Sequence, residues 1–182
     1  MRTSDTDPIK IPAIILGNNK IGLSFCPGKY QPQAQTGAWN RSMEKDLTRI
    51  REQGYDVIVS LIDRDHYGRD EFELLKVTEL KEGIVESYEM KWLWIPIIDC
   101  QIPIGSPSDN NMGEIIDLLR QDFSVFIHCK GGMGRAGLVY AWALTHFGLT
   151  AEEAITKVRL IRKGAIENIQ QENWVKKYAS IK

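Results

Sequence analysis

The chain has 182 residues, 43% hydrophobic and 26% charged, which suits one globular domain with a substantial core and excludes a disordered or fibrous class. Its formal net charge of −1 draws it neither to nucleic acid nor to a membrane surface, so any attraction for anions must be local. Three cysteines (Cys26, Cys100, Cys129) without a C-x-x-C pair, and three histidines without ligand spacing, argue against a disulfide scaffold and a metal site and favour a reducing compartment.

Residues 1–10 are polar and lack an apolar signal region, so they read as a flexible tail before a single domain spanning 11–182. No apolar run is long enough to span a membrane, and a cytoplasmic protein is the expectation. Residues 11–16 and 21–25 read as short strands around Gly17-Asn-Asn19. Pro27, Gly28 and Pro32 mark a loop. Residues 41–53 suit a helix with Met43, Leu47 and Ile50 on one face and Gly54 at its end. Residues 56–62 are a buried, β-branched strand. Residues 69–81 suit a helix that Gly83 stops. Residues 90–98 read as a strand despite Pro96, and residues 108–121 as a helix with Met112, Ile115, Ile116 and Leu119 inward. Residues 123–127 form an apolar strand, and residues 138–147 a helix. Thr150-Ala-Glu-Glu153 is a capping box for a helix to about residue 162, and residues 170–178 form a last helix. Strands alternating with helices imply a three-layer α/β sandwich with a largely parallel central sheet flanked by helices. Ligands in such folds bind beyond the carboxyl ends of the strands.

One segment stands at such an end: His128-Cys-Lys-Gly-Gly-Met-Gly-Arg-Ala-Gly137. Its glycines let consecutive N–H groups point into one concavity, and the following helix N-terminus adds partial positive charge. Cys129 opens the turn, where the thiolate is the favoured form. Arg135, six residues on, can clamp a phosphate through two parallel hydrogen bonds. Two rival readings are weaker. Gly132-Met-Gly-Arg-Ala-Gly137 also spells the dinucleotide fingerprint G-x-G-x-x-G, but no second strand with an acidic end follows. A plain glycine turn with a structural cysteine leaves Arg135 without a role at a helix start, where cations are disfavoured.

Attack by a thiolate on a phosphate ester needs a proton donor for the departing oxygen. Asp99 ends the apolar strand Trp92-Leu-Trp-Ile-Pro-Ile-Ile98 and is the first candidate. Asp63 is second, with Asp65 and Asp70 behind it. Cys100, beside Asp99, is a candidate resolving cysteine for Cys129.

The pattern resembles the His-Cys-x5-Arg signature of cysteine-dependent protein phosphatases. Val158-Arg-Leu-Ile-Arg162, Gly164-Ala-Ile166 and Gln170-Gln171 make it most similar to the dual-specificity branch, of the cyclin-dependent-kinase-associated and cell-division-cycle types. The resemblance runs from about Leu47 to the C-terminus. It implies a protein tyrosine phosphatase-like fold with Cys129 as nucleophile, Arg135 as clamp and Asp99 as acid. It also implies that the backbone of Lys130, Gly131, Gly132, Met133, Gly134, Arg135 and Ala136 cradles the phosphate. His128 would orient the loop, Gln171 would help position water, and Arg162 would face phosphate or pair with a carboxylate. The implied partner is a phosphorylated protein, a kinase among the candidates. Phosphate, sulfate or vanadate would be active-site ligands, with no cofactor or metal. Ala136 departs from the family, which carries Ser or Thr there, and so puts turnover in question. Two alternatives follow: a phosphate-binding module with vestigial catalysis, and, from Lys130, an inositol phosphate or phosphoinositide phosphatase, although Met133 stands where those enzymes tend to carry a second basic residue.

Overall fold

The computed structural model describes residues 1–34, 37–64 and 68–180. Its main sheet contains β1 (Ala13–Leu16), β2 (Asn19–Phe25), β5 (Val57–Ser60), β6 (Lys91–Trp94) and β7 (Val125–Cys129) in the order β1-β2-β7-β5-β6. Only β1 is antiparallel to its neighbour; the other pairs are parallel. Two further strands, β3 (Tyr30–Gln31) and β4 (Trp39–Asn40), form a separate antiparallel ribbon that sequence periodicity did not reveal. The helices are α1 (Met43–Glu52), α2 (Glu71–Leu74), α3 (Glu82–Glu86), α4 (Gly113–Arg120), α5 (Gly134–Thr145), α6 (Ala151–Ile161) and α7 (Ile169–Tyr178).

Side-chain alternation along the strands divides the core in two. Val57, Val59, Val125, Ile127 and Cys129 pack with the apolar faces of α4, α5, α6 and α7. Ile58 and Phe126 point the other way, into a cluster with Leu47, Ile50, Phe72 and Val85 from α1, α2 and α3. The result is the expected three-layer α/β sandwich. α5 is buried along its whole length because it lies against the sheet and is covered in turn by α6 and α7. Its Tyr140 hydroxyl donates to the Ile21 carbonyl at 2.8 Å. Among the described residues, no helix is long and apolar enough to cross a membrane.

Four expectations change. The strand over 90–98 is β6 alone and ends at Trp94, because Pro96 cannot donate to a strand ladder, and residues 95–98 run on outside the strand toward Asp99. The single helix over 69–81 is a one-turn α2 followed by a turn and then α3, with Gly83 inside α3 rather than ending a helix. Phe72, Leu75, Val77 and Leu80 are all buried, and no single helical stripe includes all four. The chain therefore turns at Lys76, which takes a left-handed φ of 54°. Likewise the helix over 108–121 is broken by Asn111 at φ 55°, leaving a short 3-10 turn before α4. The ten-residue tail lies against the domain. Ile9 is only 2% exposed, the backbone of Arg2 bonds Ala38 and Asn40, and Arg41 donates to the carbonyls of Thr3 and Asp7.

Candidate active site

β7 is the central strand of the sheet, and its carboxyl end carries Cys129, 3% exposed. The loop after it must lie flat against β2. Gly132 has φ 68°, and a Cβ there would stand 2.2 Å from the Ser24 backbone, so only glycine fits. The Gly132 N–H donates to Cys129 Sγ at 3.3 Å. α5 begins at Gly134 with no acidic residue in its first turn, so its N-terminal partial charge is available to an anion. Arg162, at the end of α6, donates to the carbonyls of Gly132 and Gly131 at 3.2 and 3.0 Å and ties the loop to that helix. Ala136 is fully buried and brings no hydroxyl to the thiol.

Arg135 is 1% exposed and held from several directions. Glu71, at the start of α2, accepts two hydrogen bonds from it, at 2.6 and 2.9 Å. The Ile97 carbonyl accepts a third at 2.9 Å. Asp99 Oδ1 accepts a fourth from Nη2 at 2.7 Å, and Lys130 Nζ stands 3.6 Å from Asp99 Oδ2. Burial opposes the charge on Arg135, yet Glu71 and Cys129 outweigh it and raise its pKa. Among the described residues, the Nε–H has no partner. An incoming oxyanion that takes Nε and Nη2 together would displace Asp99 from the guanidinium.

A family model described as "PTP-SAK: Swiss Army Knife protein, DSP-PTPase phosphatase domain" matches residues 58–175. The chain belongs to this family of phosphatase domains. It is 33% identical over 86 residues to "Dual specificity protein phosphatase CDC14B" of Mus musculus, an alignment covering 46% of this chain and 18% of that protein. The chain thus spans less than a fifth of the length of that relative. It is 26% identical over 162 residues to "Cyclin-dependent kinase inhibitor 3" of Rattus norvegicus, covering 87% of this chain and 71% of that one. A crystal structure of kinase associated phosphatase, with serine at its catalytic-site cysteine, superposes with a TM-score of 0.79 and 26% identity, over 96% of this chain and 98% of that one. The active form of Tk-PTP shares the fold, with a TM-score of 0.65 and 24% identity over 92% and 96% of the two chains. The chain therefore has the fold and the cysteine–arginine loop of a cysteine-based dual-specificity phosphatase domain.

The phosphatase domain supports its loop from below. His128 is fully buried, and its Nε2 lies 2.7 Å from Ser60 Oγ, which also accepts from Trp92 Nε1 at 2.7 Å. Burial lowers the imidazole pKa to about 3, so the ring is neutral. On a strand, His128 and Cys129 face opposite sides of the sheet, which suits a prop rather than a base.

The other sequence candidates separate. Asp63 is 7% exposed; its N–H donates to Glu71 Oε2 at 2.9 Å, placing it behind the arginine clamp. Asp70 caps α2, accepting from Phe72 and Glu73. Asp65 lies outside the described residues. Gln171, expected beside the attacking water, is fully buried and does not line the cleft. Its Oε1 accepts from Glu167, and its Nε2 donates to the Gln101 carbonyl at 3.3 Å. With Asn168, which donates to the Cys100 carbonyl at 2.9 Å, it fastens the Asp99 loop to α7. Cys100 is exposed at φ 63° and lines the same cavity as Cys129; burial, then Asp99 and Glu167, push its thiol pKa up.

Two functional groups escaped the sequence reading. Glu71 stood in an acidic run, Asp70 to Glu73, with nothing to distinguish the clamp's partner from its neighbours. Lys29 stood in a Pro-Gly loop without periodicity, yet it is 3% exposed on the wall of a cavity of about 530 Å³ that Cys129 and Arg135 also line. A second cavity of about 310 Å³, lined by Asp63, Arg69 and Glu71, shares Asp99 and Lys130 with the first.

Proposed function

We propose that this chain hydrolyses phosphate esters of tyrosine, or of serine and threonine, in proteins through a phosphocysteine at Cys129. The observation that carries the reading is Arg135, locked by Glu71 at the mouth of the Cys129 loop while, among the described residues, its Nε–Nη2 edge is occupied by Asp99 alone. A substrate phosphate takes that edge and the N–H groups from Lys130 to Ala136, and releases Asp99. The Cys129 thiolate attacks phosphorus, the S–P bond forms, and the P–O bond to the leaving group breaks. Asp99 gives the leaving oxygen its proton. Water then attacks the phosphocysteine, Asp99 takes a proton back, and phosphate and thiolate are restored.

A phosphorylated kinase is the partner suggested by the names of the kinase-associated phosphatase and of the cyclin-dependent kinase inhibitor. A cytoplasmic setting suits a thiol nucleophile and three free cysteines. The inositol phosphate reading rests on Lys130, whose ammonium is engaged with Asp99. The test is Cys129→Ser, assayed with phosphopeptides and aryl phosphates. Hydrolysis is abolished while phosphopeptide binding persists; appreciable turnover by the serine form would overturn the mechanism.

A further inference from the structure

The cavity that Arg135 lines carries cations of a different kind as well. Lys29 Nζ has three protons to donate. Two go to Gln31 Oε1 and the Lys130 carbonyl, both at a long 3.3 Å. Among the described residues no carboxylate pairs with it. The ammonium lies 4.7 Å from the Trp39 ring centroid and 5.1 Å from that of Phe25. Arg2 Cζ is 4.8 Å from the same Trp39 ring, and its guanidinium has no hydrogen-bond partner among the described residues. The neighbouring Arg41 cannot serve, because it is consumed by the buried Asp46 at 2.7 Å. The cavity is lined by five cations (Arg2, Lys29, Lys130, Arg135 and Arg162) and two acids (Asp99 and Glu167), in a chain whose net charge is −1. Asp99 already serves Arg135 and Lys130, and no carboxylate among the described residues pairs with Lys29, Arg2 or Arg162. Arg162 is spent on the carbonyls of Gly131 and Gly132, which leaves Lys29 and Arg2 for a ligand.

This nearly buried ammonium has aromatic and carbonyl neighbours and, among the described residues, no carboxylate. The Cys129 thiolate and the buried Cys26 lie on its favourable side and Arg41 and Arg162 on its unfavourable side, so it still has a donor to give an anion that comes from outside. Resting on the phosphatase reading above, we propose that Lys29 and Arg2 form a second anion subsite beside the Cys129 loop, and that it holds a second phosphate of a doubly phosphorylated peptide. Lys29 bonds the carbonyl of the residue directly after Cys129, so the subsite adjoins the scissile phosphate, at a distance suited to phosphates on nearby residues. Asp99 and Lys130 line both cavities, so the ligand form that can occupy the two together is an extended chain. Trp39 and Phe25, packed on each other, hold the two cations in place on this wall of the cavity. Burial lowers the Lys29 pKa to about 8, so the ammonium is charged at pH 7 and its hold on an anion fades as pH rises through 8.

The test measures binding by calorimetry to the Cys129→Ser form, with matched peptides carrying one phosphate or two, the second one or two residues away. The doubly phosphorylated peptide binds about tenfold more tightly at pH 7, as one added hydrogen bond between charged groups implies. The gain shrinks at pH 9. Adding Lys29→Met or Arg2→Ala removes most of it, whereas Lys29→Arg keeps it. Equal affinity for the two peptides overturns the subsite, as does a gain that survives both Lys29→Met and Arg2→Ala. An inositol polyphosphate that binds more tightly than the doubly phosphorylated peptide overturns the peptide class. Turnover by the unaltered chain is measured separately. A binding gain without hydrolysis of either peptide leaves the subsite standing and refutes the phosphatase reading.

Discussion

Two buried cations face one cleft, and they are solved differently. Arg135 meets Glu71, Asp99 and the Ile97 carbonyl, so its charge is satisfied before any ligand arrives and its direction is fixed. Lys29 meets two carbonyl-type oxygens at 3.3 Å, two aromatic rings and the charge of the nearby Cys129 thiolate, and no carboxylate among the described residues pairs with it. A paired buried cation serves geometry, whereas an unpaired one stores affinity for an anion not yet present. The cleft thus has one wall set for chemistry and another set for selection.

Perturbing the paired wall should hurt chemistry, and the largest effect is expected at Asp99. Asp99→Asn should slow esters with basic leaving groups, such as phosphoserine, by roughly 10²–10⁴-fold, and activated aryl phosphates far less. Steady-state kinetics on both substrates read the difference; an equal fall on both would move the acid elsewhere, with Asp63 next.

Glu71→Gln comes second. It keeps the shape of the partner but removes a charge from the buried pair, and Arg135 is left with Asp99 as its sole carboxylate. Activity should drop about 10- to 100-fold through weaker phosphate binding, because hydrogen bonds between charged groups contribute roughly 1.5–3 kcal/mol. Vanadate affinity should fall in parallel. Unchanged vanadate binding would mean that the carbonyls of Ile97 and Leu61 suffice to aim the guanidinium.

The smallest effect concerns the thiol. Cys129 Sγ has the Gly132 N–H as a donor, and Ala136 supplies none. If departure of the thiolate limits turnover, Ala136→Ser should raise the steady-state rate by up to about tenfold and shrink a pre-steady-state burst, leaving phosphoenzyme formation unchanged. Rapid-quench kinetics decide it. Identical steady-state rates with no burst in either form would show that Gly132 already supplies what the missing hydroxyl would.

The Cys129–Arg135 loop was legible because everything it needs is contiguous. A strand, permissive glycines, a nucleophile and a helix start lie within ten residues, and local sterics dictate how they fold. Asp99 was singled out as the end of an apolar strand expected to run to Ile98, but β6 stops at Trp94 and Asp99 lies on the loop beyond it. The helix over 43–52 was legible from the apolar face of Met43, Leu47 and Ile50, all buried, and that over 151–161 from its Thr150–Glu153 capping box, which is formed. The segment over 69–86 was not, because four apolar residues out of helical phase can be buried only if the chain turns, and the need to bury them comes from the sheet beneath.

By itself, then, the amino-acid order determined the α/β class and the glycine-rich loop that carries Cys129 and Arg135, the loop through interactions that span a few residues. The tertiary structure alone decided that Glu71 rather than a neighbouring acid holds Arg135, that Gln171 fastens the Asp99 loop instead of lining the cleft, and that Lys29 and Arg2 line the same cleft as Cys129. Those pairings join residues 64, 70 and about 100 positions apart. Distance between such groups depends on which strands lie side by side and on which helices cover them, and no local periodicity encodes that.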